Sequence, residues 1–391
     1  MLVKILSRLS KFLLKFVASI ALLLFVVIGI QYLSTTIYDF KEPVAFTGKK
    51  WSNPYQSIDS GRVKANFHAH SAAWKSITYG KFSPEKTRQS YLEKEYDVAS
   101  ISNYFSIDTT GKKDPLYIPV YEHGLNIFKT HCLSINASKV SYTDYFLLQS
   151  TSHQQKVIES IKAQNGIVAI AHPKLAMGRS INDMKYLMHY DLVEVLNHFR
   201  ISDEYWDAAL SAGRLSYLVA DDDSHSTDAD EFARVWTVIL SNGKTKEPVL
   251  NDLVNGKAFG VYTEYNTCEN DFVSCELNSD SLFVEFAIPA DTILFIGQNG
   301  VVKHKAFKSA KAFYRLKDSD TYIRVVAKNY ESSIYLNPIV RYEKKVPLNS
   351  LNVPKEQMLQ TWLFRAFVTV VIYFLLRLIY RMWKPKRKKL A

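Results

Sequence analysis

Asn66-Phe67-His68-Ala69-His70-Ser71 closes an apolar run that begins at Val63, and the stretch reads as the end of a buried strand. Side chains alternate along a strand, so histidines at i and i+2 project to the same side. Two imidazoles that close, at a strand end, suit a metal ion. Two surface histidines give the same local pattern, so the reading depends on what accompanies them.

Downstream, short apolar runs alternate with helical stretches. Ser83-Pro84-Glu85 starts a helix, with Ser as N-cap and Pro at the first helical position, running to about Glu95. Further helices are expected over 152–164, stopped by Asn165-Gly166, over 203–212 before Gly213, and over 246–255. Strands are expected over 97–102, 117–121, 131–136, 167–171, 192–196, 216–220 and 235–241. Apolar strands alternating with helices predict an α/β protein with parallel pairing and both faces covered, and about seven such units suggest a barrel. The polar residues gather at the carboxyl ends of these strands: His68 and His70, Glu122, His172, Asp223 and His225. That rim is where α/β barrels build active sites. Singly, His172 reads as a core histidine and Asp223 as a turn cap; six metal-competent side chains at strand ends are hard to attribute to chance. From about residue 276 the helices stop. Runs over 281–288, 292–296 and 322–327, with a Gln298-Asn299-Gly300 turn, predict a small antiparallel β domain over 276–345.

The formal net charge is +11, which raises the question of nucleic acid. Lys4, Arg8, Lys11 and Lys15 carry +4 and residues from Arg365 onward carry +8, leaving the intervening segment at −1. A basic nucleic-acid surface is therefore not expected. Residues 16–38 hold no charge before Asp39 and are long enough to cross a bilayer; no small-residue cleavage site follows Ile30. A second apolar run, 361–380, is interrupted only by Arg365 and Arg377 near its ends, where long side chains snorkel. Basic flanks, 1–15 and 381–391, place both termini in the cytoplasm and the middle of the chain on the other side of a cell membrane. Residues 39–60 read as a linker. Cys268 and Cys275 pair or stay reduced, with Cys132 left over.

The order of motifs resembles the polymerase and histidinol phosphatase (PHP) family of metal-dependent phosphoesterases. Asn66-Phe67-His68-Ala69-His70-Ser71 is similar to its opening Asp-Leu-His-Thr-His-Ser, Tyr117 to Glu122 to its strand ending in a metal-bridging Glu, and His131, Ala171-His172-Pro173 and Asp223-Ser224-His225 to its later ligand motifs. The resemblance covers residues 61–262. It implies a distorted seven-stranded (βα)7 barrel with a multi-metal cluster. It assigns His68, His70, Glu122 and Asp223 to one metal, and Glu122, His131 and His172 to a second. The family's Thr-Asp-His aligns with Ser102-Asn103-Tyr104, and another of its motifs with Thr78-Tyr79-Gly80, so the third metal position looks degraded. Two divalent ions, Zn, Mn or Fe, follow from imidazoles and carboxylates without thiolate. In this reading Glu122 and His225 are catalytic, His225 as general acid, and Lys174, His198 and Arg200 hold phosphate. The expected substrate is a phosphorylated small molecule, lipid or glycan met outside the cytoplasm. A catalytically inactive binding module and a metal hydrolase of a non-phosphate bond are the rival classes.

Overall fold

The computed structural model describes residues 2–57, 61–74, 80–175, 178–265 and 267–385. In chain order the elements are α1 (Leu2–Tyr32), β1 (Tyr38–Asp39), β2 (Lys50–Ser52), β3 (Val63–Asn66), α2 (Pro84–Leu92), β4 (Val98–Ala99), β5 (Val120–His123), β6 (Cys132–Ile135), α3 (Thr151–Lys162), β7 (Ile167–Ile170), α4 (Ile181–Tyr186), β8 (Leu192–Asn197), α5 (Asp203–Ser211), β9 (Tyr217–Asp221), β10 (Val235–Ile239), α6 (Lys246–Val254) and β11 (Ala258–Thr263). Then come β12 (Phe272–Asn278), β13 (Ser281–Gly297), β14 (Val301–Arg315), β15 (Tyr322–Lys328), β16 (Ser332–Leu336), β17 (Ile339–Tyr342), β18 (Lys355–Glu356) and α7 (Met358–Trp383). Ser83 caps α2 as its sequence requires, its side chain accepting from Lys86 N with Pro84 at the first turn. Gly213, after α5, has φ +72, where a Cβ would strain the backbone.

The chain is a mixed α/β protein, but its ladders do not close into the expected all-parallel seven-stranded barrel. One sheet runs β5-β6-β7-β8-β9, and β4 and β3 belong to a larger one with β10 and β11. β3 pairs parallel with β4, and β7, β8 and β9 run parallel to one another. β5 and β6 are antiparallel. The loop between them, residues 124–131, is too short for a parallel crossover of a dozen or more residues. β10 is antiparallel to both neighbours. The two sheets are joined by a few hydrogen bonds outside the ladders. Thr237 Oγ1 on β10 both accepts from Ala220 N and donates to Ala220 O on β9, at 2.8 and 2.9 Å. Phe67 N donates to Asp221 Oδ1, and His70 N to Ser224 O. The apolar core takes residues from both faces of β7, β8 and β9, with β3 and β6, and includes the inner faces of α3, α5 and α6 packed against them.

The β-rich segment extends the larger sheet: β16 pairs with β11, and β15 and β13 follow. A buried ion cluster fastens it to α5. The Arg324 guanidinium on β15 donates to both oxygens of Asp207 at 2.8 and 2.7 Å, approaches Asp203 at 3.3 Å, and lies over the Trp206 ring. Cys132, Cys268 and Cys275 are free thiols, none of them in a disulfide.

α1 and α7 are long and apolar enough to cross a membrane, and most of their apolar side chains are exposed. They pack antiparallel. Phe12 meets Trp383 edge-on and Lys15 Nζ donates to Met382 O at one end, while Arg365 donates to Thr35 O at the other. Both far ends thus lie on one side. Beyond Arg365, β1 pairs with β18 and ties the two legs together. The basic residues Lys386, Arg387, Lys388 and Lys389 lie outside the described residues.

Candidate metal centre

β3 ends at Asn66, and the next four residues carry His68 and His70 to the ends of the neighbouring strands. Glu122 sits inside β5, His131 just before β6, His172 just after β7 and Asp223 just after β9. All six converge, and all are buried. Glu122 is at the centre. Its Oε1 lies 3.5 Å from His68 Nε2, 2.5 Å from His131 Nδ1 and 3.2 Å from His172 Nε2, and its Oε2 lies 3.2 Å from His70 Nε2. Asp223 Oδ1 stands 3.2 Å from His68 Nε2 and 3.3 Å from His70 Nε2. Two triplets, His68–Glu122–His172 and His68–His70–Asp223, have donor atoms all within 4.8 Å of one another.

The donor set fits a cation. His68 Nε2, both nitrogens of His70, His131 Nδ1 and Glu122 Oε2 are buried and make no well-formed hydrogen bond. Buried polar atoms left so are rare and call for an explanation, and lone pairs collected around one point supply it. Backbone strain gives a second sign: His172 has φ +24 and Asp223 has φ +49. Non-glycine residues held there cost about 1–3 kcal/mol each and gather at functional sites.

Glu194 was not singled out from sequence. Its Oε1 accepts from His68 Nδ1 at 3.0 Å and from Asn197 Nδ2 at 3.1 Å, and its Oε2 accepts from His172 N at 2.6 Å. A carboxylate only accepts, so His68 Nδ1 carries a proton and Nε2 is the nitrogen available to a metal. Asn197 also donates to Asp223 Oδ2. Of three consecutive aspartates only Asp223 enters the centre. Asp221 accepts from Phe67 N, and Asp222 from Tyr91, Ala233 and Arg234.

Burial opposes charge throughout the centre, yet attraction wins at most positions. Burial pushes Glu122 up, but His131 and His68 outweigh it and hold the carboxylate well below its usual range. Burial pushes His68 down, and Asp223, Glu194 and Glu122 more than reverse this; His70 and His172 are raised on the same balance. His131 stays lowered because burial prevails. Protons thus hold the lone pairs that a cation needs. Raised histidines hold their protons above the ordinary imidazole range, so cation affinity should climb as pH rises past about 6.5, with proton release on binding. Zinc calorimetry in two buffers of different ionisation heat checks this. Equal affinity below and above that pH, with no proton released, contradicts it.

A cavity of about 560 Å³ opens beside the donors, lined by Tyr104, Leu125, Asn126, Lys129, Phe199 and His225 together with His131, His172 and Asp223. A larger cleft of about 630 Å³ lies elsewhere, around Thr109, Lys112 and Lys246, and lacks these donors. His225 has its ring 4.4 Å from that of His70, and its Nδ1 is 3.0 Å from the Asp223 carbonyl. Burial first, and then His70, lower its pKa. Tyr104 stacks on His70. Lys174, His198 and Arg200 do not line the cavity. Lys174 pairs with Glu204 at 2.9 Å, the His198 ring bonds the Asp222 carbonyl, and Arg200 donates to Phe199 O. Lys129 is the cation on the cavity wall. Of the third-metal positions, Asn103 donates to Ser71 Oγ and accepts from Ser71 N; Thr78 and Tyr79 lie outside the described residues.

No family model and no curated protein matches this sequence. Among solved structures, the chain is similar to a two-domain protein from Bacteroides vulgatus containing a predicted PHP-like metal-dependent phosphoesterase. The similarity covers 81% of this chain and 99% of that one, at 11% identity and a TM-score of 0.38.

Proposed function

We propose that the chain is a membrane-anchored, metal-dependent phosphoesterase that hydrolyses a phosphate ester outside the cytoplasm. The observation that carries this reading is the convergence of four imidazoles and two carboxylates on one buried point, several of whose polar atoms make no well-formed hydrogen bond among the described residues. His68, His70, Glu122 and Asp223 would hold one divalent ion and Glu122, His131 and His172 a second. When bound, such a pair makes water nucleophilic near neutral pH and neutralises phosphoryl charge.

The remaining steps belong to side chains. Glu194 fixes the His68 ring through Nδ1 and braces the strained backbone at His172. Lys129, on the cavity wall, faces the incoming phosphate. His225 also lines the cavity, and is assigned the proton that goes to the leaving oxygen. The negative phosphate raises the proton affinity of a neighbouring imidazole and so offsets its burial.

Elemental analysis of the purified full chain should give about two ions per chain, with turnover on a panel of phosphoesters. In His225→Ala both ions should stay while turnover falls by roughly 10²–10⁴. No bound metal after supplementation would sink the enzyme reading. Metal loss in His225→Ala would make that residue a ligand.

A further inference from the structure

We propose that the cavity mouth lies against the bilayer and that the substrate is a phosphoester headgroup carried by a membrane lipid; this rests on the phosphoesterase reading above. One wall of the cavity is the loop after β5, which contributes Gly124, Leu125, Asn126 and Lys129. Hydrogen bonds tie the far side of that loop to the last two residues of α1. Ile127 N donates to Phe146 O at 3.1 Å, Phe146 N donates to Gln31 Oε1 at 3.1 Å, and the Tyr32 hydroxyl donates to Leu148 O at 2.9 Å. The wall of the cavity and the end of the apolar helix are therefore two neighbouring loops apart.

Those loops are apolar where water would be expected. Leu125, Ile127, Tyr142, Phe146 and Leu148 are 65%, 54%, 72%, 37% and 72% exposed. Scattered surface apolar residues are ordinary, but clusters mark contact with another apolar phase. Attachment to the end of a candidate span identifies that phase, since the acyl-headgroup boundary begins where the span ends. Asp144 Oδ2 accepts from Leu125 N at 2.7 Å and holds the loop in place. Lys129, on the same loop, is exposed and has no acidic partner among the described residues. An ammonium between an apolar rim and a metal centre suits a lipid phosphate, whose acyl chains stay in the bilayer while the ester reaches the donors.

The test uses the full chain reconstituted in phosphatidylcholine vesicles doped with phosphatidic acid. A nitrobenzoxadiazole label on Leu148→Cys, with Cys268→Ser to remove the half-buried thiol, reports the environment without any turnover. Its emission should shift to the blue and be quenched by nitroxide-bearing lipid. Separately, the triple variant Ile127→Ser, Phe146→Ser, Leu148→Ser should lose vesicle-borne phosphatidic acid turnover by on the order of tenfold or more. Its turnover of soluble p-nitrophenyl phosphate should be unchanged. A label that stays in water overturns the membrane-facing mouth. A shielded label with p-nitrophenyl phosphate turnover but none of phosphatidic acid, or with no selective loss in the triple variant, overturns the lipid substrate. A shielded label with no phosphoester turnover at all strikes the phosphoesterase reading and leaves the membrane contact standing.

Discussion

Glu122→Gln should empty the metal centre more completely than any other single substitution. Glu122 Oε1 faces His68, His131 and His172 while Oε2 faces His70, so one carboxylate serves donors on both sides of the centre. Glutamine keeps the volume but replaces an anionic oxygen with an amide that points two protons at imidazoles already rich in positive charge. Loss of an orienting partner commonly costs roughly 10–100-fold in metal affinity or activity; loss of the central anion should exceed that. The expected result is fewer than one ion per chain and turnover down by more than about a hundredfold, with the apolar core undisturbed. His68→Ala is the comparison, because it removes one donor and leaves Glu122. Two tightly held ions in Glu122→Gln would show that the carboxylate is not the hub.

Arg324→Ala should be the most damaging change to stability away from the centre. It strands the buried Asp207 under Trp206 and Tyr322, and takes the nearest guanidinium from the half-buried Asp203. Burial already raises the Asp203 carboxyl, and losing the guanidinium leaves Asp207 with the Tyr322 hydroxyl as its remaining side-chain donor among the described residues. Breaking one side of a buried pair costs about 3–5 kcal/mol, which in a chain of this size lowers Tm by roughly 5 °C. Thermal unfolding followed by tryptophan fluorescence measures it. The double variant Arg324→Met, Asp207→Leu should recover much of the loss, because it removes both charges. A loss below about 1 kcal/mol in the single variant would mean that water reaches the cluster.

The strand period puts His68 and His70 on one side, and their company with Glu122, His172 and Asp223 at strand ends is what makes the pair read as metal ligands. Glu194 was hidden in Leu192-Val193-Glu194-Val195-Leu196, which reads as one apolar strand. The signal was there nonetheless: a carboxylate in the middle of an otherwise apolar strand must be partnered, and its partner is the metal-facing histidine. Pairing direction was misjudged for a different reason. Hydrophobic runs report burial, not polarity of pairing, and only the loop of residues 124–131 carried the information that β5 and β6 form a hairpin. The long β13 was read as two strands because Pro289 and Asp291 interrupt it; the structure absorbs them at a register shift between Glu285 and Ala290. β14 went unread because Lys303, Lys305, Lys308 and Lys311 give it the composition of a loop, although such lysines are typical of an exposed edge strand. Lys174, His198 and Arg200 lie close in sequence to rim strands, and each makes a local contact: Glu204, the Asp222 carbonyl and the Phe199 carbonyl.

The two-rung ladder between β1 and β18 sets a clock on biogenesis. Tyr38 pairs with Glu356, about 320 residues later. β2 likewise waits for β17, and β3 for β10. At about 5–20 residues per second, roughly 20–60 seconds separate synthesis of Tyr38 from that of its partner. During that interval β1 has no partner strand and β3 has only β4 on one side until β10 is made, and closing such distant contacts is slow in itself. The larger sheet can be completed only as the last strands emerge, immediately before α7 is made. The polypeptide between the two apolar helices should therefore depend on holding chaperones until its final residues arrive, and then fold in one late, cooperative event.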